Sequence, residues 1–333
     1  MDLLVVGVAA LIVTCAAVPL VRRVMLGRGV LDVPNHRSSH NTPVPRGGGI
    51  ACAAGVVGAC VVAALIGVTV PASAVTAAAA LAVVGLLDDK FHLPAVPRLG
   101  LQVIVGAVVG AALGGTLWCF VGAVLMPLVV NVVNFMDGIN GITALTLFTW
   151  GCTTALAGVL YGAEALGVLG ALTAGAALGF LPYNAPRARI FLGDVGSYLF
   201  GALAATGLML GARAEVSPAL VVAPLTIYGI DVIITLVRRA IRGAPLMEAH
   251  REHIYQRLVR ESRLPHVAVS LHSVLVSLAI VLGWSTGVMW IAACVTLIAG
   301  GIYILAPRFM KRLATGDSDR TDSESRRHVG VGA

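Results

Sequence analysis

Charge is scarce in this sequence. Asp, Glu, Lys and Arg make up 12% of its 333 residues, against 58% hydrophobic, where a soluble globular chain carries about 25% charged residues. The apolar residues come in long blocks that no soluble core could absorb, so the bilayer is the natural solvent. Paired cysteine is missing as well. Cys15, Cys52, Cys60, Cys119, Cys152 and Cys294 all sit inside apolar blocks with no C-x-x-C spacing, which leaves them as small buried hydrophobes and argues against a zinc ribbon or a disulfide framework. No GxSxG, P-loop, HExxH or Rossmann fingerprint survives its context. A basic patch is also absent. The formal net charge is +7, but the basic residues are dealt out between apolar spans, which speaks against nucleic acid as a partner.

What the sequence does have is a run of candidate membrane helices: about 3–21, 49–68, 72–87, 99–114, 117–133, 141–160, 164–181, 197–212, 216–237, 268–286 and 288–306. The first has the length of a signal peptide but no basic residues before it, and reads as a retained span. The third, fourth and eighth fall short of the ~20 residues that usually cross. Orientation follows from counting basic residues. With the N-terminus outside, 22 of the 23 Lys and Arg fall in inside segments and only Arg213 falls outside, as the positive-inside rule requires. Deleting any one span would invert everything after it. The expectation is an all-α, polytopic membrane bundle of about eleven transmembrane helices. Residues 1–310 form one domain, and a polar tail over 311–333 is expected to be disordered.

The polar residues gather at span ends on the inner side. Residues 32–49 hold Asp32, Asn35, His36, Arg37, His40 and Arg46 before Gly47–Gly49, a glycine run that can bring backbone N–H groups to an anion, or a plain basic loop. Asp88 and Asp89 are adjacent acids at a helix C-terminus, where the dipole disfavours them. That suits a magnesium ion or a base acting on a phosphate, unless they simply pair with Lys90. Residues 131–141 place Asn131, Asn134, Asp137 and Asn140 at i, i+3 steps among glycines, an oxygen-donor set for a hard cation. Residues 179–197 carry Asn184 and a lone acid, Asp194, which is a cation ligand or an N-cap for the eighth span. Asp231 lies within the ninth span. After it come Arg238, Arg239, Arg242, His250, Arg251 and His253, a group for metal or pyrophosphate, or an amphipathic helix on anionic lipid. Carboxylates, carboxamides, histidines and arginines around one surface suit a magnesium-dependent reaction on a phosphorylated substrate.

Five stretches, DVPNHRSSHNTPVPRGGG, LLDDK, NVVNFMDGING, GFLPYNAPRARIFLGDVGS and HREHIYQRL, together resemble the polyprenyl-phosphate N-acetylhexosamine-1-phosphate transferases, the family of MraY and WecA. They fall in that family's order and cover about residues 30–260. The resemblance implies a phosphoglycosyl transferase of the bacterial inner membrane. It would move a sugar 1-phosphate from a UDP-N-acetylhexosamine to undecaprenyl phosphate, release UMP and start O-antigen or another envelope polysaccharide. It implies Mg2+, with Mn2+ able to substitute. Asp194 would be the main metal ligand with Asn134 assisting, and Asp88 and Asp89 would act near the acceptor phosphate. Asp137, Gly138, Ile139 and Asn140 would line the nucleotide-sugar site. Asn184 and Phe191 would contact uridine. His253 would hold the diphosphate with Arg251, and Arg46 and His250 complete the substrate-binding set. Homodimers occur in relatives. Two positions depart from MraY: Asn140 stands where an Asp is usual, and Tyr255 where histidines continue. The pattern looks closer to the O-antigen branch that uses N-acetylfucosamine or N-acetylquinovosamine, with UDP-GlcNAc the ordinary alternative. A lipid flippase would need polar groups along the membrane path, whereas here they stop at one face; a CDP-alcohol phosphatidyltransferase would carry spaced aspartates around DG and AR that are absent; and a scaffold would leave the carboxylate clusters unexplained.

Overall fold

The computed structural model describes residues 1–34, 42–245 and 250–329, with side chains as far as Arg312. Asn35, His36, Arg37 and His40, and the last four residues of the tail, lie outside the described residues. The described chain is helical apart from one antiparallel ribbon, β1 (Leu31–Asp32) with β2 (Val44–Pro45). The long helices are α1 (Asp2–Gly27), α2 (Gly49–Leu65), α3 (Ala72–Phe91), α4 (Ala95–Gly114), α5 (Thr116–Met136), α6 (Ile142–Leu160), α7 (Glu164–Asn184) and α8 (Gly193–Arg213). They continue with α9 (Pro218–Val221), α10 (Thr226–Ile241), α11 (Ile254–Ser262), α12 (His266–Ser285) and α13 (Met289–Val329). Ten spans are long and apolar enough to cross a membrane.

Every expected span is present as helix. The three that looked short are not: α3, α4 and α8 have 20, 20 and 21 residues. Each runs beyond its apolar stretch into polar residues, which hydropathy alone does not count as span. Only α2 falls short, with 17 residues, or about 26 Å of helix. It packs along α1 and against α7. Its N-terminus meets the N-terminus of α8, where a Cβ on Gly49 would lie 2.2 Å from Gly196 Cα. The C-terminus of α3 meets that same end of α8, where a Cβ on Gly85 would lie 2.3 Å from the Asp194 carbonyl oxygen. The chain must therefore leave this end through α2 and return to it through α3.

One expectation changes. The ninth span is not one helix: α9 gives way to a 3-10 turn over Ala223–Leu225 before α10 begins. Pro224 supplies no backbone donor there, and the Trp150 indole N–H donates to the Val221 carbonyl at 2.9 Å, satisfying a backbone group at the break. Past its membrane part, α13 continues to Val329. Between Arg308 and Val329 there is no proline and one glycine, Gly316, so nothing stops propagation.

The core lies around α7 and α8, whose spans are 78% and 83% buried, while α1 and the membrane part of α13 are peripheral at 22% and 17%. Small residues permit this packing. A Cβ on Gly106 of α4 would stand 2.1 Å from the Gly122 carbonyl oxygen of α5. The deeply buried α8 carries its polar start, Gly193-Asp194, to one end of the bundle, and α2, α3 and α5 bring their polar ends to it.

Candidate active site

Asp194 stands in the first turn of α8. Its Oδ1 accepts from Arg46 Nη2 at 2.9 Å and from Asn134 Nδ2 at 2.9 Å. The same Asn134 amide donates to Ser197 Oγ at 3.0 Å. Asn134 thus presents a donor to Asp194, and holding a cation there would require its carboxamide to turn about. Neither Asp194 nor Ser197 caps α8 through its side chain. Asp89, from α3, does so: its Oδ1 and Oδ2 accept the backbone N–H groups of Asp194 and Val195 at 3.0 and 3.1 Å. Arg46 Nε closes on Asp89 Oδ1 at 2.7 Å. Burial works against the Arg46 charge, but Asp194 and Asp89 outweigh it and hold the guanidinium firmly protonated.

Asp88 turns away from this group. Its buried carboxylate pairs with Arg98 and accepts from Tyr198 OH at 3.1 Å and the Leu93 N–H at 2.9 Å. Lys90, which the alternative reading would pair with these acids, lies over the Phe91 ring, 4.9 Å from its centroid. Two of the three donors in the glycine run before α2 are committed to backbone carbonyls. Gly48 and Gly49 donate to the carbonyls of Phe191 and Leu192, both at 2.8 Å, and Phe191 N–H donates to Pro45 O at 2.9 Å. These bonds strap residues 45–49 against 191–192 and so carry Arg46 to Asp194.

Asp137 ends α5 beside the same cluster. Burial pushes its carboxyl up to about 7, Asp194 and Asp89 push the same way, and Arg46 pulls back. Asp89 and Asp194 thus share the Arg46 guanidinium, and Asp137 lies within electrostatic reach of all three. An excess of buried negative charge calls for a cation. Among the described residues no three His, Cys, Asp or Glu side chains form a complete metal cage. Magnesium rarely uses one: it takes one or two carboxylates, substrate phosphates and waters. The donor set fits that ion.

A second group forms on the other side of residues 135–138. Asp231, fully buried on α10, accepts the N–H groups of Ile254 and Tyr255, both at 3.0 Å. It also lies 2.9 Å from His253 Nδ1 and accepts from Tyr303 OH at 2.8 Å. A carboxylate on Nδ1 fixes the ring and leaves Nε2 as the atom for a ligand. The His250 ring centroid is 5.0 Å from that of His253, and burial, with His253 beside it, depresses His250 to about 4, so it is neutral at pH 7. Tyr255 OH donates to Phe135 O at 3.0 Å, and a Cβ on Gly138 would lie 2.1 Å from that hydroxyl. Gly138 is the residue that lets the two groups meet.

Asn184 and Asn140 face each other's loops. Asn184 is buried, with Oδ1 accepting from Gly141 N–H at 2.6 Å and Nδ2 donating to Ile190 O at 3.3 Å. Asn140 Nδ2 donates to Pro186 O at 3.1 Å and its N–H to His266 Nδ1 at 3.3 Å. Ile139 is buried in the core between them. The residues that sequence reasoning missed are Arg98, Tyr198 and Tyr303, for which no pattern signalled a polar partner. Asp231 was visible as a lone acid in an apolar span, but its role depends on a fold that brings α10 to the start of α11.

The sequence pattern of glycosyl transferase family 4 matches residues 71–212. A decaprenyl-phosphate N-acetylglucosaminephosphotransferase of Mycobacterium tuberculosis is 31% identical over 313 aligned positions, covering 78% of this chain and 76% of its own. The chain belongs to glycosyl transferase family 4. An undecaprenyl-phosphate alpha-N-acetylglucosaminyl 1-phosphate transferase of Yersinia pestis, another relative of this family 4 member, is 27% identical, covering 79% of each chain. A phospho-N-acetylmuramoyl-pentapeptide-transferase of Symbiobacterium thermophilum is 38% identical, but over only 35% of this chain. Family membership makes the protein a multi-pass membrane transferase, and the matched segment contains Asp88, Asp89, Asn134, Asp137 and Asp194.

Proposed function

We propose that this transferase moves N-acetylglucosamine 1-phosphate from UDP-N-acetylglucosamine to a polyprenyl phosphate, undecaprenyl or decaprenyl, at the cytoplasmic face of a bacterial inner membrane. The product is a lipid-linked sugar diphosphate that starts an envelope polysaccharide. The observation that carries this reading is the pairing of Asp89 and Asp194 on one guanidinium, with Asp137 in electrostatic reach, at the end of the bundle where the His253 group also sits. The names of the relatives favour N-acetylglucosamine over the deoxysugars suggested by the HREHIYQ run.

A phosphate monoester has a second pKa near 6, so the acceptor is mostly a dianion at neutral pH and needs no strong base. Its oxygen attacks the β-phosphorus in line. The new P–O bond forms as the bond from the β-phosphorus to the α–β bridging oxygen breaks, and UMP leaves with that oxygen. Asp194 and Asp137 would hold magnesium, with Asn134 after an amide turn. When bound, the ion neutralises charge on the diphosphate and the departing UMP. His253 and Arg251 bind the diphosphate from the opposite side. Asp89 and Asp88 are positioning residues in this scheme, one locking the first turn of α8 and the other locking Arg98 and Tyr198. Asn140 and Asn184 shape the loop that receives the uridine, with Phe191 at its edge.

The test is UMP release by purified protein offered a panel of UDP-sugars with undecaprenyl phosphate and magnesium. UDP-N-acetylglucosamine should turn over, and only when both lipid phosphate and magnesium are present. No release with any sugar would overturn the proposal. Release with a deoxysugar nucleotide alone would reinstate the other branch.

A further inference from the structure

One basic surface takes no part in this scheme. A cavity of about 590 Å³ opens between the inner ends of α10, α11 and α13, and Arg238, Arg242, Arg257, Arg260 and Arg308 line it with a single carboxylate, Glu252. That carboxylate is already committed, paired with both Arg239 and Arg242. Glu261, close by, is shared by Arg257 and Arg260 at 3.4 and 3.5 Å. Arg238 Nη1 is buried and has no hydrogen-bond partner among the described residues. Positive-inside topology explains why arginines occur here. It does not explain why five guanidiniums from three helices converge on one concavity with one of their donors buried and unmatched. Buried donors of this kind are matched in native structures, and a phosphate offers the oxygens that would match them.

We infer that this cavity binds a phosphate group, and that the phosphate is borne by an anionic phospholipid of the inner leaflet. Depth selects the lipid. Ile241, which lines the cavity, is the last residue of the span Pro218–Ile241, and Arg308 lies near the end of the span Met289–Arg312. The cavity therefore sits where inner-leaflet headgroups lie, a common place for basic pockets that hold such groups. It also shares a wall with the candidate active site. Thr235 lines the cavity and its hydroxyl donates at 3.2 Å to Asp231 Oδ1, the same oxygen that faces His253.

Native mass spectrometry of the full-length protein, given equal phosphatidylglycerol and phosphatidylcholine, tests this without reference to turnover. Wild type should select phosphatidylglycerol. The combined R238Q, R257Q and R308Q variant should lose roughly ten-fold or more of that selection, and R308Q alone roughly five-fold. The matching Lys variants should keep most of it. So should R22Q with R23Q, which removes charge from a separate inner-face basic cavity. R308Q guards against misfolding, because Arg308 is exposed. Unchanged selection in the Gln variants, or an equal loss in R22Q with R23Q, overturns the site. Displacement of phosphatidylglycerol by submillimolar inorganic pyrophosphate overturns the lipid assignment and points to a soluble phosphate instead. Failure to displace it supports the lipid.

Discussion

Replacing Asp137 by Asn should stabilise the protein in the absence of magnesium while impairing it as an enzyme. Asp137 is held at about 7 by burial and by Asp194 and Asp89, against 3.8 for an ordinary Asp. The sign follows from proton binding. Between about pH 4 and pH 7 the folded chain keeps a proton that the unfolded chain has lost, so stability falls as pH rises through this window and levels off above it. Across the window the loss amounts to about 4 kcal/mol. Asn keeps the shape and never ionises. At pH 8 without magnesium, Asp137→Asn should therefore melt above wild type, by roughly 5–10 °C in a chain of this size. Magnesium should raise the melting temperature of wild type more than that of the variant, because it neutralises a charge the variant no longer has. The assay is a thermal melt in detergent at fixed scan rate, from pH 4.5 to 8.5, with magnesium or with EDTA. A variant less stable than wild type in EDTA at pH 8, with the same pH slope, would refute the charge argument.

Three further outcomes follow from the same geometry. Asp194→Ala should still insert yet lose roughly 1,000-fold or more in turnover; near-normal UMP release would remove Asp194 from the chemistry. Asp231→Asn replaces one of the oxygens that hold the start of α11 with an amide donor, and should lower kcat roughly 10- to 100-fold. It should also weaken the fold by about 1–3 kcal/mol, visible in the melt, and an unchanged kcat would sever His253 from Asp231. A cysteine at Ser217 should react with an impermeant maleimide added outside intact cells, and one at Ser262 only after lysis; the reverse pattern would invert the bundle.

The spans were legible because each is an apolar block separated from the next by polar or glycine-rich residues, and because only one basic residue, Arg213, lies on the wrong side. The break before α10 was not. Pro224 sits within an apolar stretch, and its effect depends on Trp150 of α6 accepting the role of partner. Within the candidate site, residue type marked out the polar side chains that the fold brings together. It did not reveal which acid does what. Asp88 and Asp89 are adjacent in sequence and identical in chemistry, but successive helical positions point about 100° apart. One therefore faces Arg98 and Tyr198, and the other faces α8. Asn184 and Asn140 read as ligand residues, yet their amides bond backbone from neighbouring loops. That depends on the fold around residues 185–190, which local patterns do not encode.

Asp89 and Asp231 use the same device. Each is a buried acid on one helix whose two oxygens take two successive N–H groups at the start of another. The first such start carries Asp194 and the second follows His253. Neither reactive side chain is oriented by its own segment; each is aimed by a helix that inserts earlier in the chain. Until α3 has docked on α8 and α10 on α11, the two halves exist as sequence but not as a site. On the roles proposed for Asp194 and His253, a partly inserted chain would have no assembled site with which to consume its sugar donor.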